Sequence, residues 1–174
     1  MKIHTQQSPD MTQLAEWIAP FSVGMLTRLC AEGRLEAKPM TPLEMDETGA
    51  IWFFVDRRHT RAEQLALLNL GFSDPGGSTF VSLSGSGELT TEREAIDRLW
   101  TEFARPWFPD GPESPELALL RFTPESAEFW DAPQSRTVRM LALVASVVAR
   151  KPIGMGEHTA LDALENGART SRAA

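Results

Sequence analysis

The chain has 174 residues, 42% of them hydrophobic and 24% charged, which is the composition of one soluble globular domain rather than of a disordered segment. Seventeen Lys and Arg stand against 24 Asp and Glu, giving a formal net charge of −7 and a sequence pI near 5.0. That balance argues against a broad phosphate-backbone interface with nucleic acid, so any anion site must be local.

Asp10 opens DMTQLAEWIAPF, where Leu14, Trp17 and Ile18 share one helical face before Pro20 stops the helix. SVGMLTRLCA reads as a strand, EGR at 32 to 34 as a tight turn, and LEAKPMT as the hairpin partner with Lys38 in mid-strand. Pro39 removes one ladder donor and places this strand at an edge or a bulge. DETG at 46 to 49 turns the chain into AIWFFV, a continuous apolar run suited to a strand covered on both faces. Thr60 and Glu63 then match the capping box S/T-x-x-E/Q, which predicts a helix starting at Thr60 and carrying Ala62, Leu65, Ala66 and Leu68 inward as far as DPGGS at 74 to 78.

TFVSLSGSGEL alternates, and Gly85 and Gly87 mark a bulge or sharp curvature. A second capping box, Thr91 to Glu94, opens TEREAIDRLW. ARPWFPDGPESPEL is a proline-rich loop that holds Trp107 and Phe108. LALLRFTPESAEFWD reads as two strand segments flexing at Pro124, with Trp130 near the end. An amphipathic helix around 137 to 149 and a polar tail complete the chain, dividing it into a domain at 1–150 and a tail at 151–174. Short strands at hairpin spacing with few helices argue for an antiparallel barrel with helices at its side.

Familiar signatures are missing. No G-x-G-x-x-G, Walker A loop or G-x-S-x-G elbow occurs, and SGSG at 84 to 87 lacks the Lys-Ser/Thr of a phosphate loop. Cys30 is the only cysteine, so no intrachain disulfide or cysteine-based zinc cluster forms, and its apolar surroundings are those of a buried structural thiol. His4, His59 and His158 have no second ligand at helical spacing, so no metal site is expected, and nothing marks a catalytic nucleophile. The start MKIHTQQSPDMTQ has no apolar core of the signal-peptide kind. The longest apolar run, at about 140 to 149, is half of the ~20 residues that span a bilayer. The expectation is a cytoplasmic protein with neither a membrane nor a nucleic-acid partner.

Three features carry chemistry. The turn Arg57-Arg58-His59-Thr60-Arg61 crowds cations at a predicted helix N-terminus, where the macrodipole disfavours each by ~0.3–1 kcal/mol. A bound anion would reverse that penalty. Lys38 stands in mid-strand, either reaching a ligand or facing outward on an edge. Trp52, Phe53, Phe54, Trp107 and Trp130 supply aromatic surface; most such residues fill cores, but a Trp in a proline-rich loop must pack back or cover something. A pocket with a cationic end and an aromatic body fits a ligand with a phosphate and a flat ring system, such as FMN.

MLTRLCAEGRLEAKPM, IWFFVDRRHTRAEQL, FVSLSGSGEL, WFPDGPESPELALLRFTPESAEFWD and GEH, in that order, resemble the general stress protein branch of the pyridoxamine 5′-phosphate oxidase-like, FMN-binding split barrels over about residues 10 to 158. The resemblance implies an α+β, mostly β, antiparallel split barrel and a homodimer with two flavins at the interface, where Trp107 or Trp130 covers a partner's flavin. It also implies FMN held along Lys38, Pro39, Met40 and Thr41, along Phe53, Phe54 and Val55, and by Thr60 and Arg61. Lys38 stands where an Arg is usual and Arg61 where a Lys is usual, so charge is kept while Lys38 lacks the bidentate geometry of an Arg. Val55 replaces a usual Thr and offers a backbone N–H in place of a hydroxyl.

The function implied is that of an FMN-dependent oxidoreductase acting on a small molecule, with no side-chain acid or base identified. The alternatives are a flavin-binding module that stores, senses or buffers FMN without turnover, and a structural barrel with an empty pocket. Arg57, Arg58 and His59 are candidates for facing substrate, or else form a solvated loop.

Overall fold

The computed structural model describes residues 1–30, 32–131, 157–161 and 164. Strand β1 (Lys2–Ile3) is followed by helix α1 (Pro9–Ile18). Ser8 caps α1, two residues before Asp10: its hydroxyl accepts from the Met11 N–H at 3.2 Å, and Pro9 takes the first helical position, where no N–H is needed. Met11, Leu14, Ala15 and Ile18 are buried, and Trp17 stacks on Phe129 with ring centroids 4.9 Å apart.

Strands β2 (Gly24–Leu29) and β3 (Leu35–Met40) form the expected hairpin, with Gly33 at φ +75° in the turn. β3 is an edge strand, one of the two placements that Pro39 permits. β4 (Glu44–Met45) leads into β5 (Ile51–Asp56), which is covered on both faces as expected. Ile51, Phe53 and Val55 join the main core, whereas Trp52 and Phe54 pack with Ile96, Leu99, Phe108 and Leu119 in a second apolar cluster.

The helix expected from Thr60 does not form. Arg61 is extended (φ −108°, ψ 136°), a single 3-10 turn spans Ala62–Gln64, and the chain then enters β6 (Leu68–Asp74). Leu65 and Leu68 satisfy helical spacing, but Leu68, Leu70 and Phe72 alternate with Asn69, Gly71 and Ser73, and the strand ladders offered by β2 and by β7 (Thr79–Thr90) favour that second period. The second capping box also fails to form. Helix α2 (Arg93–Leu99) begins after Glu92 with no side-chain cap, and the Thr90 hydroxyl accepts from the Glu92 N–H instead.

β8 (Leu117–Asp131) is one strand rather than two, and its register with β7 shifts at Ser84/Gly85, next to Pro124. β9 (Glu157–Leu161), within the stretch read as a tail, pairs with the last residues of β8, and Leu164 is buried in the core. The helix expected at 137 to 149 lies outside the described residues.

Among the described residues the sheet has nine strands in the order β1-β4-β5-β8-β7-β6-β2-β3, with β9 added on β8. Every pairing is antiparallel except that of β1 with β4. β5 and β3 are not paired, yet Val55, Lys38 and Met40 line one cavity. The sheet therefore curls round its core and stays open along the seam between β5 and the β2–β3 hairpin, the architecture of a split barrel. Buried Glu44 fastens the far edge, bonded to His4 Nε2 at 3.0 Å and accepting from Arg98 Nη1 at 2.5 Å. Burial alone pushes its carboxyl up, but the bonds from Arg98 and His4 outweigh that and hold it below the usual range.

Candidate functional site

The open seam forms a cavity of about 40 Å³. Leu26, Met40, Val55, Leu65 and Leu120 give it an apolar floor, and Arg28, Glu36, Lys38 and Thr60 its polar rim. Strand periodicity explains part of this set: Leu26 and Arg28 share one parity on β2, and Glu36, Lys38 and Met40 share one on β3. Arg28 pairs with Glu36 at 3.3 Å. Lys38 makes no ion pair or side-chain hydrogen bond among the described residues, and there the Thr60 N–H has no acceptor either. A free ammonium and a free backbone donor on one rim suit a small anion.

A larger cavity of about 410 Å³ adjoins the seam, lined by Leu29, Cys30, Arg61, Glu63, Gln64, Ala66 and Leu67. Arg61 is exposed and its guanidinium makes no ion pair within bonding distance among the described residues. The nearby Glu32 carboxyl is held below the usual range, first by its bond with the Cys30 thiol and, more weakly, by the charge of Arg61.

The basic turn resolves into separate parts. Arg58 donates to both Asp56 oxygens, Nε to Oδ1 at 3.1 Å and Nη2 to Oδ2 at 2.6 Å, and its Nη1 reaches Glu116 at 2.5 Å. Hydrogen bonding from Arg58 holds the Asp56 carboxyl down at about 2. Arg58 is thus an internally neutralised strut. Arg57 and His59 are exposed, and their backbone N–H groups close the turn on the carbonyls of Glu116 and Asp56. Because no α-helix starts at Thr60, no macrodipole acts on these cations, and the expected penalty is absent.

The structure brings Lys38, Met40, Val55 and Thr60 together on the seam, with Arg61 just beyond it. Pro39 and Thr41 are exposed beside them. Phe53 is fully buried in the core, and the Phe54 ring packs on Trp100 and Phe108 at 5.7 and 6.4 Å, so neither ring lines the seam cavity. Trp107 is 75% exposed in its loop and Trp130 is 37% exposed on β8; neither lines the seam. Sequence reasoning missed Arg28, Glu36 and Leu120 on the seam and Leu29, Cys30 and Gln64 beyond it. The alternation of the hairpin contained the signal for the first two.

Among the described residues no cluster of three or more His, Cys, Asp or Glu could hold a metal, and no helix is long and apolar enough to cross a membrane.

None of the curated proteins matches the chain. Solved structures do. A general stress protein 26 from Jannaschia sp. CCS1 is 27% identical, with a TM-score of 0.63 over 89% of this chain and 99% of that one. The general stress FMN/FAD binding protein of Xanthomonas citri is 30% identical, with a TM-score of 0.60 over 72% of this chain and 90% of that one. A general stress family protein of Xanthomonas campestris pv. campestris is 31% identical, with a TM-score of 0.59 over 74% and 92%. The profile of the pyridoxamine 5′-phosphate oxidase-like family matches residues 9–153, and with these neighbours it places the chain in that family.

Proposed function

We propose that the protein binds FMN at the seam and acts as a cytoplasmic, flavin-dependent oxidoreductase of the general stress protein type on a small molecule. The observation that carries this reading is the free cation and free N–H on the seam. Arg28 and Arg58 are neutralised by carboxylates, whereas Lys38 and the Thr60 N–H have no partner among the described residues. A phosphate fits that pair. Pro39, Met40, Thr41 and Val55 would flank the ring, and Phe53 and Phe54 would contribute backbone only, their rings being packed elsewhere. The description of the Xanthomonas citri neighbour as FMN/FAD binding supports the same ligand class.

When bound, FMN would supply the electron transfer; the chain would supply anchoring, orientation and exclusion of water. Trp107, 75% exposed in its loop, is an aromatic surface that would cover a second subunit's flavin, which supports a homodimer. Residues 1–150 would be the flavin domain and 151–174 an extension of it.

A second reading, binding without turnover, is favoured by the chemistry of the rim. Among the described residues no His or Cys lines the seam, and the one carboxylate there, Glu36, is held by Arg28. Purified protein should be yellow and release FMN on denaturation. Anaerobic mixing with NADH and NADPH then separates the readings: bleaching of the flavin band supports the oxidoreductase, and a band unmoved by any donor supports the module. Colourless protein that takes up no flavin overturns both.

A further inference from the structure

Arg61 lines the larger cavity and has no part in the lining of the seam. Among the described residues every arginine except Arg57 and Arg61 is paired with a carboxylate, and Arg57 lines neither cavity. Arg61 is therefore the uncommitted guanidinium of a concave surface. Its charge is felt by the Glu32 carboxylate, which the Cys30 thiol holds, so the guanidinium stands towards the Cys30 end of the cavity. Glu32 itself is matched by Arg34 at 3.8 Å.

The rest of the cavity is largely apolar, and its leucines continue outside it. Leu35 and Leu29 are partners across the β2–β3 hairpin. The ladder of β2 with β6 ends at Arg28–Leu68, so Leu67 comes next to Leu29, with which it lines the cavity. At 75%, 45% and 68% exposure, Leu35, Leu29 and Leu67 form one apolar row outside both cores. The row crosses two inter-strand steps, about 10 Å. Single exposed leucines need no explanation, but three side by side, running into a cavity of about 410 Å³, mark a binding surface, since small-molecule sites enclose ~300–1,000 Å³. The head group is set by charge. A planar guanidinium matches a carboxylate with two parallel bonds and repels an amine. Glu63, in the same wall and without an ion pair among the described residues, opposes a doubly charged phosphate more than a singly charged carboxylate.

We propose that this cavity binds a carboxylic acid with a medium-length acyl chain, its carboxylate on Arg61 and its chain along Leu67, Leu29 and Leu35. The site is separate from the flavin reading and does not rest on it. Octanoate, octanol, octylamine and octyl phosphate, titrated into isotope-labelled protein and followed by amide chemical shifts, test it. Octanoate should saturate, with its largest shifts at Leu29, Arg61 and Leu67, and the other three probes should bind more weakly. Arg61→Ala should weaken octanoate about tenfold and leave octanol within about twofold, whereas Leu67→Ser should weaken both. Arg61 and Leu67 are exposed, so both variants keep the core intact. Octanoate shifts that do not saturate, octylamine or octyl phosphate binding as tightly as octanoate, or wild-type octanoate affinity in Arg61→Ala would each overturn the proposal. Displacement of octanoate by saturating FMN would overturn it too, because the cavity would then belong to the flavin site. The flavin reading fails separately, by the absence of FMN uptake, and the titrations of the four probes are read without FMN.

Discussion

Arg58 and Asp56 form a two-pronged ion pair across a single intervening residue, and Glu116 closes it from the neighbouring strand approach. The sign of its pH dependence follows from the Asp56 carboxyl, which is held at about 2 against an ordinary 3.8. A depressed acid stabilises the fold above its ordinary value, and that contribution is lost as pH falls from about 4 towards 2. Asp56→Asn should therefore be less stable than wild type at pH 7, with the gap closing by pH 2 in urea melts. Arg58→Ala should leave FMN affinity within about threefold, because its charge is already matched.

Lys38→Ala should weaken FMN by roughly ten- to a hundredfold, as expected for losing a charge-assisted bond of ~1.5–3 kcal/mol. Riboflavin, lacking the phosphate, should bind wild type weakly and ignore the substitution. Equal FMN affinity in Lys38→Ala and wild type would reduce Lys38 to a solvated edge lysine.

Trp107→Ala tests the aromatic surface separately from the fold. At 75% exposure the ring contributes little packing, so the midpoint of unfolding should move by less than about 0.5 kcal/mol equivalent while flavin affinity falls. Unchanged affinity would remove Trp107 from the site.

Arg98→Ala should cost about 1–3 kcal/mol at pH 7, since buried Glu44 then keeps only His4. Losing the Arg98 bond lets burial raise the Glu44 carboxyl, so the variant's deficit should shrink as pH falls from 7 to 4 and the carboxylate takes up a proton. A deficit independent of pH would mean that Arg98 acts through packing alone.

Two glycines provide a paired test of the sheet. A Cβ on Gly85 would stand 2.1 Å from the Thr123 carbonyl oxygen, so Gly85→Ala should destabilise by ~1–3 kcal/mol or more. At Gly71 the nearest atoms are 4.0 Å away, and Gly71→Ala should be neutral or stabilising by up to ~1 kcal/mol. Similar costs at both positions would place the bulge elsewhere.

The sequence was most legible where backbone chemistry admits one answer. Pro39 confines β3 to an edge or a bulge and the strand is at an edge, Gly33 supplies the positive φ of the hairpin turn, and Gly85 marks the bulge. It was least legible at Thr60–Phe72. A capping box and two leucines three residues apart are local signals, and they lost to strand ladders on both sides that depend on distant residues. The same limit applied to the site. Lys38, Thr60 and Arg61 were marked by residue type and family likeness, but their division between two cavities follows from how the sheet curls. The rings of Phe53 and Phe54, read as candidates for flavin contact, proved to face the two cores on either side of β5.

β8 pairs with β7 along nearly its whole length, with β5 at one end and with β9 at the other. During synthesis this makes β5 a strand in waiting. Val55 has no ladder partner until Ala118 exists, and before then only the two residues of β4 border the strand. The nascent chain thus carries IWFFV, an uncharged β-forming run, with one edge bare while more than half of the protein is still to be made. Folding is gated by long-range closure, and a chain cut before Leu117 would present an adhesive edge in place of a barrel wall.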